Sequence, residues 1–179
     1  ARPSARFPEP ELAHEQVLAH HLSTGYLWDE LRARRGAYGA FCSADGSEGA
    51  FAFGSYRDPD PASSFAVYRE ALERAAAEPL GSAAAEDAVI GAAGRDLRPM
   101  TPSEASFADF RRQLHGVVDA GRQAKRDALL ATGAAELRRA AERLLAARES
   151  GTEVLISSGD AVKSFRSANP SAVTRELPG

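Results

Sequence analysis

The stretch His21-Leu22-Ser23-Thr24-Gly25-Tyr26-Leu27-Trp28-Asp29-Glu30-Leu31-Arg32-Ala33-Arg34-Arg35-Gly36-Ala37-Tyr38-Gly39-Ala40-Phe41 decides how this chain folds. Its first part keeps helical spacing: Leu18, Leu22, Gly25 and Tyr26, then Leu27, Trp28 and Leu31, form a broad apolar band. A band of that width suits a helix packed on a sheet and covered from a second side. Gly25 lies within the band, where a missing side chain lets the backbone approach a neighbour. Arg32, Arg34 and Arg35 fall in the last turn, where positive charge complements the helix C-terminus. Gly36 then ends the helix, as a residue able to adopt a left-handed conformation. Beyond it the pattern shortens to alternation over residues 37–42, which predicts a strand. The stretch is therefore a helix feeding a strand through an arginine-rich elbow.

Working outward, the long helix is expected over 11–34, with Pro10 tolerated in its first turn. The strand 37–42 is followed by Asp45-Gly46 and a second alternating run over 50–56, the pattern of a β-hairpin. Asp58-Pro59-Asp60-Pro61 breaks it, and Ser63 or Ser64 would cap a helix running to Pro79. Further helices are expected over 82–96, from Ser103 through Phe107, Phe110 and Leu114, over 118–131, over 134–149 and over 161–167. Glu153-Val154-Leu155-Ile156-Ser157 reads as a short strand, and 172–177 as an edge strand or a loose tail. The layout is α+β, an antiparallel sheet with helices packed on one face. Residues 1–10 are expected to be irregular and 11–179 to form one domain. So few strands for so many helices implies a sheet lacking some N-terminal strands, or retaining only a remnant within residues 2–7.

Composition narrows the function. A chain of 179 residues with 44% hydrophobic content can bury one core. Its net charge of −3 gives no electrostatic reason for a nucleic-acid partner. Only Lys125 and Lys163 are lysines among the 22 basic residues, which suggests coding bias rather than a binding surface. One cysteine, Cys42, precludes an internal disulfide framework; in an apolar strand beside Phe41 it reads as a small buried hydrophobe. No apolar run is long enough to span a membrane, and the start lacks the apolar core of a signal peptide, so a cytoplasmic location is expected. The proline-rich beginning without a methionine suggests a processed product or a piece of something longer.

Catalytic machinery is hard to find. His14, Glu15, His20 and His21 crowd one helix, but a helical zinc site of the His-Glu-x-x-His type would need a histidine where Leu18 stands. The inverted form started from His14 would need glutamate at Val17 and histidine at Leu18. No nucleophile elbow, phosphate loop or dinucleotide fingerprint is present. Arg32 and Tyr38 remain, both good hydrogen-bond donors toward a carbonyl or a developing oxyanion. Taken alone they read more readily as a solvated arginine and a core tyrosine.

The run from His21 to Arg32, followed by Arg35-Gly36-Ala37-Tyr38-Gly39-Ala40-Phe41, closely resembles the presequence-peptidase branch of the pitrilysin/insulinase-type zinc metallopeptidases. Phe53-Gly54-Ser55-Tyr56-Arg57-Asp58-Pro59 continues the likeness, as does Ala88-Val89-Ile90-Gly91-Ala92-Ala93-Gly94-Arg95-Asp96-Leu97. The resemblance covers roughly residues 13–165 and is to the last, non-metal domain. It implies α+β domains joined into two halves that close around an unstructured peptide. Zinc, bound by an inverted His-x-x-Glu-His and a distal glutamate, would lie in a portion absent here. By motif, Arg32 and Tyr38 would reach the substrate backbone, and this chain would contribute no catalytic residue and no metal ligand. The implied partners are a catalytic half, in the same polypeptide or a separate subunit, and a peptide substrate, with no nucleic acid and no membrane. A non-catalytic scaffold subunit is the alternative. The likeness departs at the elbow, where Arg34-Arg35 replaces Lys/Gly, and in the strands expected before the helix.

The failed ligand spacing around His14 predicts that the isolated chain holds no stoichiometric zinc. Elemental analysis that found about one tightly bound zinc per chain, lost in a His14/His21 double variant, would overturn this.

Overall fold

The structure is a computed structural model and describes residues 1–147 and 151–176. Its centre is helix α1, Pro10–Thr24, entered through Pro10 in the first turn. Leu12, Ala13, Val17, Leu18, Ala19 and Leu22 are all buried, and they do not share one face. A helix that buries apolar residues on several sides belongs inside a fold. Accordingly α1 packs against the sheet on one side and against α3, α5 and α6 on others.

The helix expected over 11–34 is interrupted. Gly25 takes φ −111° and ψ −103°, outside the helical region, while its N–H still bonds His21 O at 3.0 Å. The chain then resumes and passes into a π-helical segment, Trp28–Arg34. Gly25 therefore serves as a break in the helix as well as a small residue in its band. The segment ends as the sequence suggests: Gly36 has φ +78°, and Ala37 N–H closes on Leu31 O at 2.9 Å. Leu27 and Leu31 point into the core.

Strand β2 is Gly39–Asp45 and β3 is Ala50–Tyr56, paired antiparallel from Gly39↔Tyr56 to Asp45↔Ala50. Tyr38, expected inside the strand, lies one residue before it. At the turn, the Asp45 carboxylate accepts from Ser47 N–H, Ser47 O–H and Glu48 N–H, and Gly49 adopts φ +66°. The third strand is β1, Arg2–Pro3, which joins β3 opposite Phe51 and Ala50 and gives the order β1-β3-β2. The expected strand at 153–157 does not form. Thr152 instead makes a single antiparallel rung with Ala1, N–H to O at 2.9 Å one way and 2.7 Å the other. A two-residue β1 offers no further backbone to pair with, so Val154 and Ile156 stay exposed. Residues 172–176 carry no strand, and the rest of that expected segment lies outside the described residues.

The remaining helices are α2 Pro61–Ala77, α3 Ser82–Asp96, α4 Pro102–Leu114, α5 Asp119–Leu130, α6 Ala134–Ala146 and α7 Gly159–Ala168. Helix α2 begins earlier than the serines suggest, because Asp60 supplies the cap to Ser63 N–H and Pro61 opens the first turn. Of the helix expected over 134–149, residues 148 and 149 lie outside the described ones. Helix α4 has a full capping box between Thr101 and Glu104, yet buries none of its residues and leaves Phe107, Phe110 and Leu114 in solvent. The fold is thus α+β, with an antiparallel sheet backed by helices. Cys42 and Phe51 face those helices and are buried; Phe41 and Tyr56, on the other face, are exposed.

One charge lies at the core of this arrangement. Glu15 on α1 is 0% exposed; its carboxylate accepts from Arg143 on α6 at 2.7 Å, from Ala5 N–H at 3.0 Å and from Ser4 O–H. It ties the N-terminal segment, α1 and α6 together. Arg143→Ala leaves the carboxylate buried without its counter-charge and is expected to cost about 3 kcal/mol, near the low end for a broken buried pair because Ser4 and Ala5 still bond it. Arg139→Ala, which breaks an exposed pair with Glu136, should cost less than about 1 kcal/mol. Urea unfolding of the two variants tests this, and equal midpoints would contradict the role given to Glu15.

Candidate functional site

The π-helical segment packs against β2, so the elbow between them is held on both sides. On this elbow the Arg32 guanidinium lies 3.9 Å from the Trp28 ring centroid, a cation–π contact that orients the head group. Among the described residues Arg32 has no carboxylate partner. Its neighbours are committed elsewhere: Arg34 pairs with Glu30, and Arg35 donates to Ser63 Oγ at 2.9 Å.

Tyr38 is 63% exposed, which removes the reading of it as a core tyrosine. Its N–H bonds Tyr56 O at 3.1 Å, and its ring meets Tyr56 edge-on at 6.0 Å. Arg57 lies over both rings, at 5.6 Å from Tyr38 and 5.4 Å from Tyr56. Arg57 also adopts φ +48°, a left-handed conformation uncommon for a residue with a side chain. Tyr56 and Arg57 entered the sequence reading only as part of the 53–59 run that continues the family likeness, with no role given to either. Arg32 and Tyr38 themselves are not joined by a hydrogen bond or ring contact. They sit on either side of the elbow, each held by its own partners.

The open face of the hairpin continues from this end. Phe41 lies over Gly54, where an added Cβ would come within 2.6 Å of its ring. Only glycine opposite Phe41 lets that ring lie flat on the sheet. Trp28, Tyr38, Phe41 and Tyr56 are all exposed, two flanking the elbow and two along the sheet face that no helix covers.

The histidines of α1 are dispersed. His14 Nδ1 lies 2.9 Å from Thr132 Oγ1, and Thr132 spends its own proton on Ala128 O, so His14 is the donor. His20 rests against Gly91 of α3, where a Cβ would collide with the ring. Burial is the first cause lowering the pKa of His14, His20 and His21 alike. Among the described residues no three His, Cys, Asp or Glu side chains converge as a metal site.

Other titratable groups brace the structure. Burial, then a hydrogen bond to Glu70, pushes Tyr26 up to about 12. Cys42 is locked between β2 and α1: its N–H donates to Ser23 Oγ at 2.9 Å, and its thiol donates to Ala19 O at 3.1 Å. Ser23 also bonds Ala19 O at 2.7 Å, so one hydroxyl stitches the helix to the strand edge. Gln16 adds a second stitch to Ala44 O at 3.5 Å.

These features define a helix-backed, one-sided sheet domain with an aromatic and cationic rim. The chain belongs to the PreP C-terminal domain family, whose model matches residues 12–158. It is 30% identical over 144 residues to presequence protease 1, chloroplastic/mitochondrial, of Arabidopsis thaliana, covering 80% of this chain and 13% of that protein. The mitochondrial presequence protease of Eremothecium gossypii is 33% identical over 137 residues, and that of Schizosaccharomyces pombe 32% over 139. These matches cover 76% and 78% of this chain, and 14% of each relative. The chain thus spans only about one seventh of the length of these relatives. It corresponds to the C-terminal domain of presequence-protease-type proteins. No helix among the described residues is long and apolar enough to cross a membrane.

Burial pushes the Cys42 thiol up to about 12, so the reactive thiolate is scarce in the folded chain near neutrality. Iodoacetamide at pH 8 should leave native Cys42 unlabelled and modify it readily in denaturant. Labelling of the native chain as fast as of the denatured one would contradict the buried placement.

Proposed function

We propose that this domain is the non-metal C-terminal part of a zinc metalloendopeptidase that degrades unstructured peptides, and that Arg32 and Tyr38 contact the substrate backbone. The observation that carries this is an arginine with no carboxylate partner among the described residues, propped on Trp28, on one side of an elbow whose other side carries an exposed tyrosine just before β2. A surface arginine without a function commonly finds a carboxylate; this one is fixed by an aromatic ring that leaves its N–H groups free. The exposed aromatic face of the hairpin supports the same reading, since an extended peptide could lie against it without displacing a helix.

The histidines of this chain do not fit zinc: His14 is engaged by Thr132 and His20 is set against α3. The metal would belong to a catalytic half, in the same polypeptide or in a separate subunit. The contribution of this chain is positioning. A guanidinium and a phenol donating to a peptide carbonyl become more favourable as negative charge grows on its oxygen, and so stabilise the transition state above the ground state.

The test requires the protein together with its catalytic half. Loss of one such donor costs on the order of 2–4 kcal/mol in the barrier. Arg32→Ala or Tyr38→Phe should therefore lower kcat/KM about a hundredfold, with metal content and Tm nearly unchanged. Near-normal turnover in both variants would remove the assignment and leave the family membership standing.

A further inference from the structure

The opposite end of the hairpin carries a second feature. The seven-residue strand β2 separates the Tyr38 end from the 46–49 turn by about 20 Å, at ~3.4 Å per residue. Beside that turn is a cavity of about 420 Å³, walled by the N-terminal segment, α1, the turn, and the ends of α3, α4 and α5. Arg6, Arg112, Arg122, Lys125 and Arg126 reach it, against a single wall carboxylate, Asp96. In a chain of net charge −3 this concentration is not a matter of composition.

Local pairing does not neutralise it. Asp96 is shared between Lys125, at 2.6 Å, and Arg126 Nε, at 3.0 Å. Burial opposes ionisation of Asp96, but those two hydrogen bonds outweigh it and hold the carboxyl below its usual range. Arg122 is offset by Asp119 at 2.8 Å. The Arg6 guanidinium donates to neutral carbonyls, Ser47 O at 3.4 Å and Glu48 O at 3.1 Å, while its backbone N–H donates to the Glu9 carboxylate at 3.1 Å. The Arg112 side chain makes no hydrogen bond or ion pair among the described residues. Five cations less the carboxylates of Asp96, Asp119 and Glu9 leave an excess of two positive charges around one cavity. The first turn of α5 adds to it, because the residue at its N-cap is Val118 and no side chain caps its N–H groups.

We propose that this cavity binds a compact ligand carrying at least two oxyanion groups, phosphate or carboxylate. Gathering like charges around one space is unfavourable unless something answers them, and guanidinium forks match both oxyanions in paired geometry. The volume is that of a small-molecule site, and Phe7, Leu12 and Val117 supply an apolar floor. Arg112 and Arg6, whose guanidinium groups pair with no carboxylate among the described residues, are the groups that engage the ligand; Lys125 and Arg126 are held by Asp96 and set the field. The site is independent of the reading of Arg32 and Tyr38, since it lies at the other end of the sheet and shares no residue with them.

The experiment is calorimetric titration of the 179-residue chain at low ionic strength with pyrophosphate, and separately with citrate. Saturable binding that weakens about tenfold in Arg112→Ala, and again in Arg6→Gln, is the expected result. Arg138→Ala, on the exposed face of α6, should leave it unchanged. Stronger binding of pyrophosphate assigns the ligand to phosphate chemistry, and stronger binding of citrate to carboxylate chemistry. No binding of either anion would overturn the proposal, as would binding indifferent to both Arg112→Ala and Arg6→Gln in variants that melt like the parent. A glutamate-rich peptide that competes and binds at least tenfold tighter than either anion would overturn the assignment to a small ligand.

Discussion

Everything in this fold depends on α1 being surrounded. The helix touches the sheet, α3, α5 and α6, so no side of it is left to solvent for long. Such a position draws apolar residues onto several sides of the helix, and it makes each fully buried polar residue a commitment. Glu15 is answered by Arg143, Ser4 and Ala5; Ser23 is answered by Ala19 and Cys42. Glu15 fastens α1 to α6 and the N-terminal segment, and Ser23 fastens it to β2. An unanswered polar group at either place would cost more than the pair contributes, which is why they specify the packing rather than merely decorate it.

The sheet is shaped by the same constraint. Its edge at β2 is not left open, because Ser23 and Gln16 on α1 take up backbone groups of Cys42 and Ala44. A side chain that serves an edge strand this way blunts it as an adjoining strand would. The helices occupy one face only, and the other carries Phe41 and Tyr56. The hairpin therefore has two chemically different ends. At the Tyr38 end, rings and guanidinium groups meet in the open; at the turn end, cations gather around a cavity with too few carboxylates to balance them. One strand pair thus separates a surface suited to peptide backbone from a site suited to oxyanions.

The elbow explains how a short segment can serve both packing and display. Leu27 and Leu31 are buried while Trp28 and Arg32 are not, although all four lie within five consecutive helical positions and one flanking residue. The wider π-helical winding changes which residues share a face, and it places Trp28 and Arg32 one above the other. An uninterrupted α-helix would still bring residues four apart together, but the break at Gly25 resets the direction in which they point.

The sequence by itself determined the elements that rest on local spacing. The Asp45-Gly46 turn between alternating runs, the glycine stop at Gly36 and the Ser82–Asp96 helix follow from neighbours within a few residues. The motif from His21 to Phe41 also identified the family, because a long run of particular residues is rare by chance. Only the tertiary structure decided what met what. Glu15 looked like one member of a histidine-rich helix face until α6 brought Arg143 to it from 128 positions away. The strand expected at 153–157 had the right alternation but no backbone edge waiting for it, whereas Arg2–Pro3 had one and paired. The cationic cavity is assembled from the N-terminal segment, the hairpin turn and four helices, and none of those pieces is basic enough alone to announce it. The division has a physical cause: periodicity records which face of an element avoids water, while the partner on that face is fixed by contacts between distant segments that form only together.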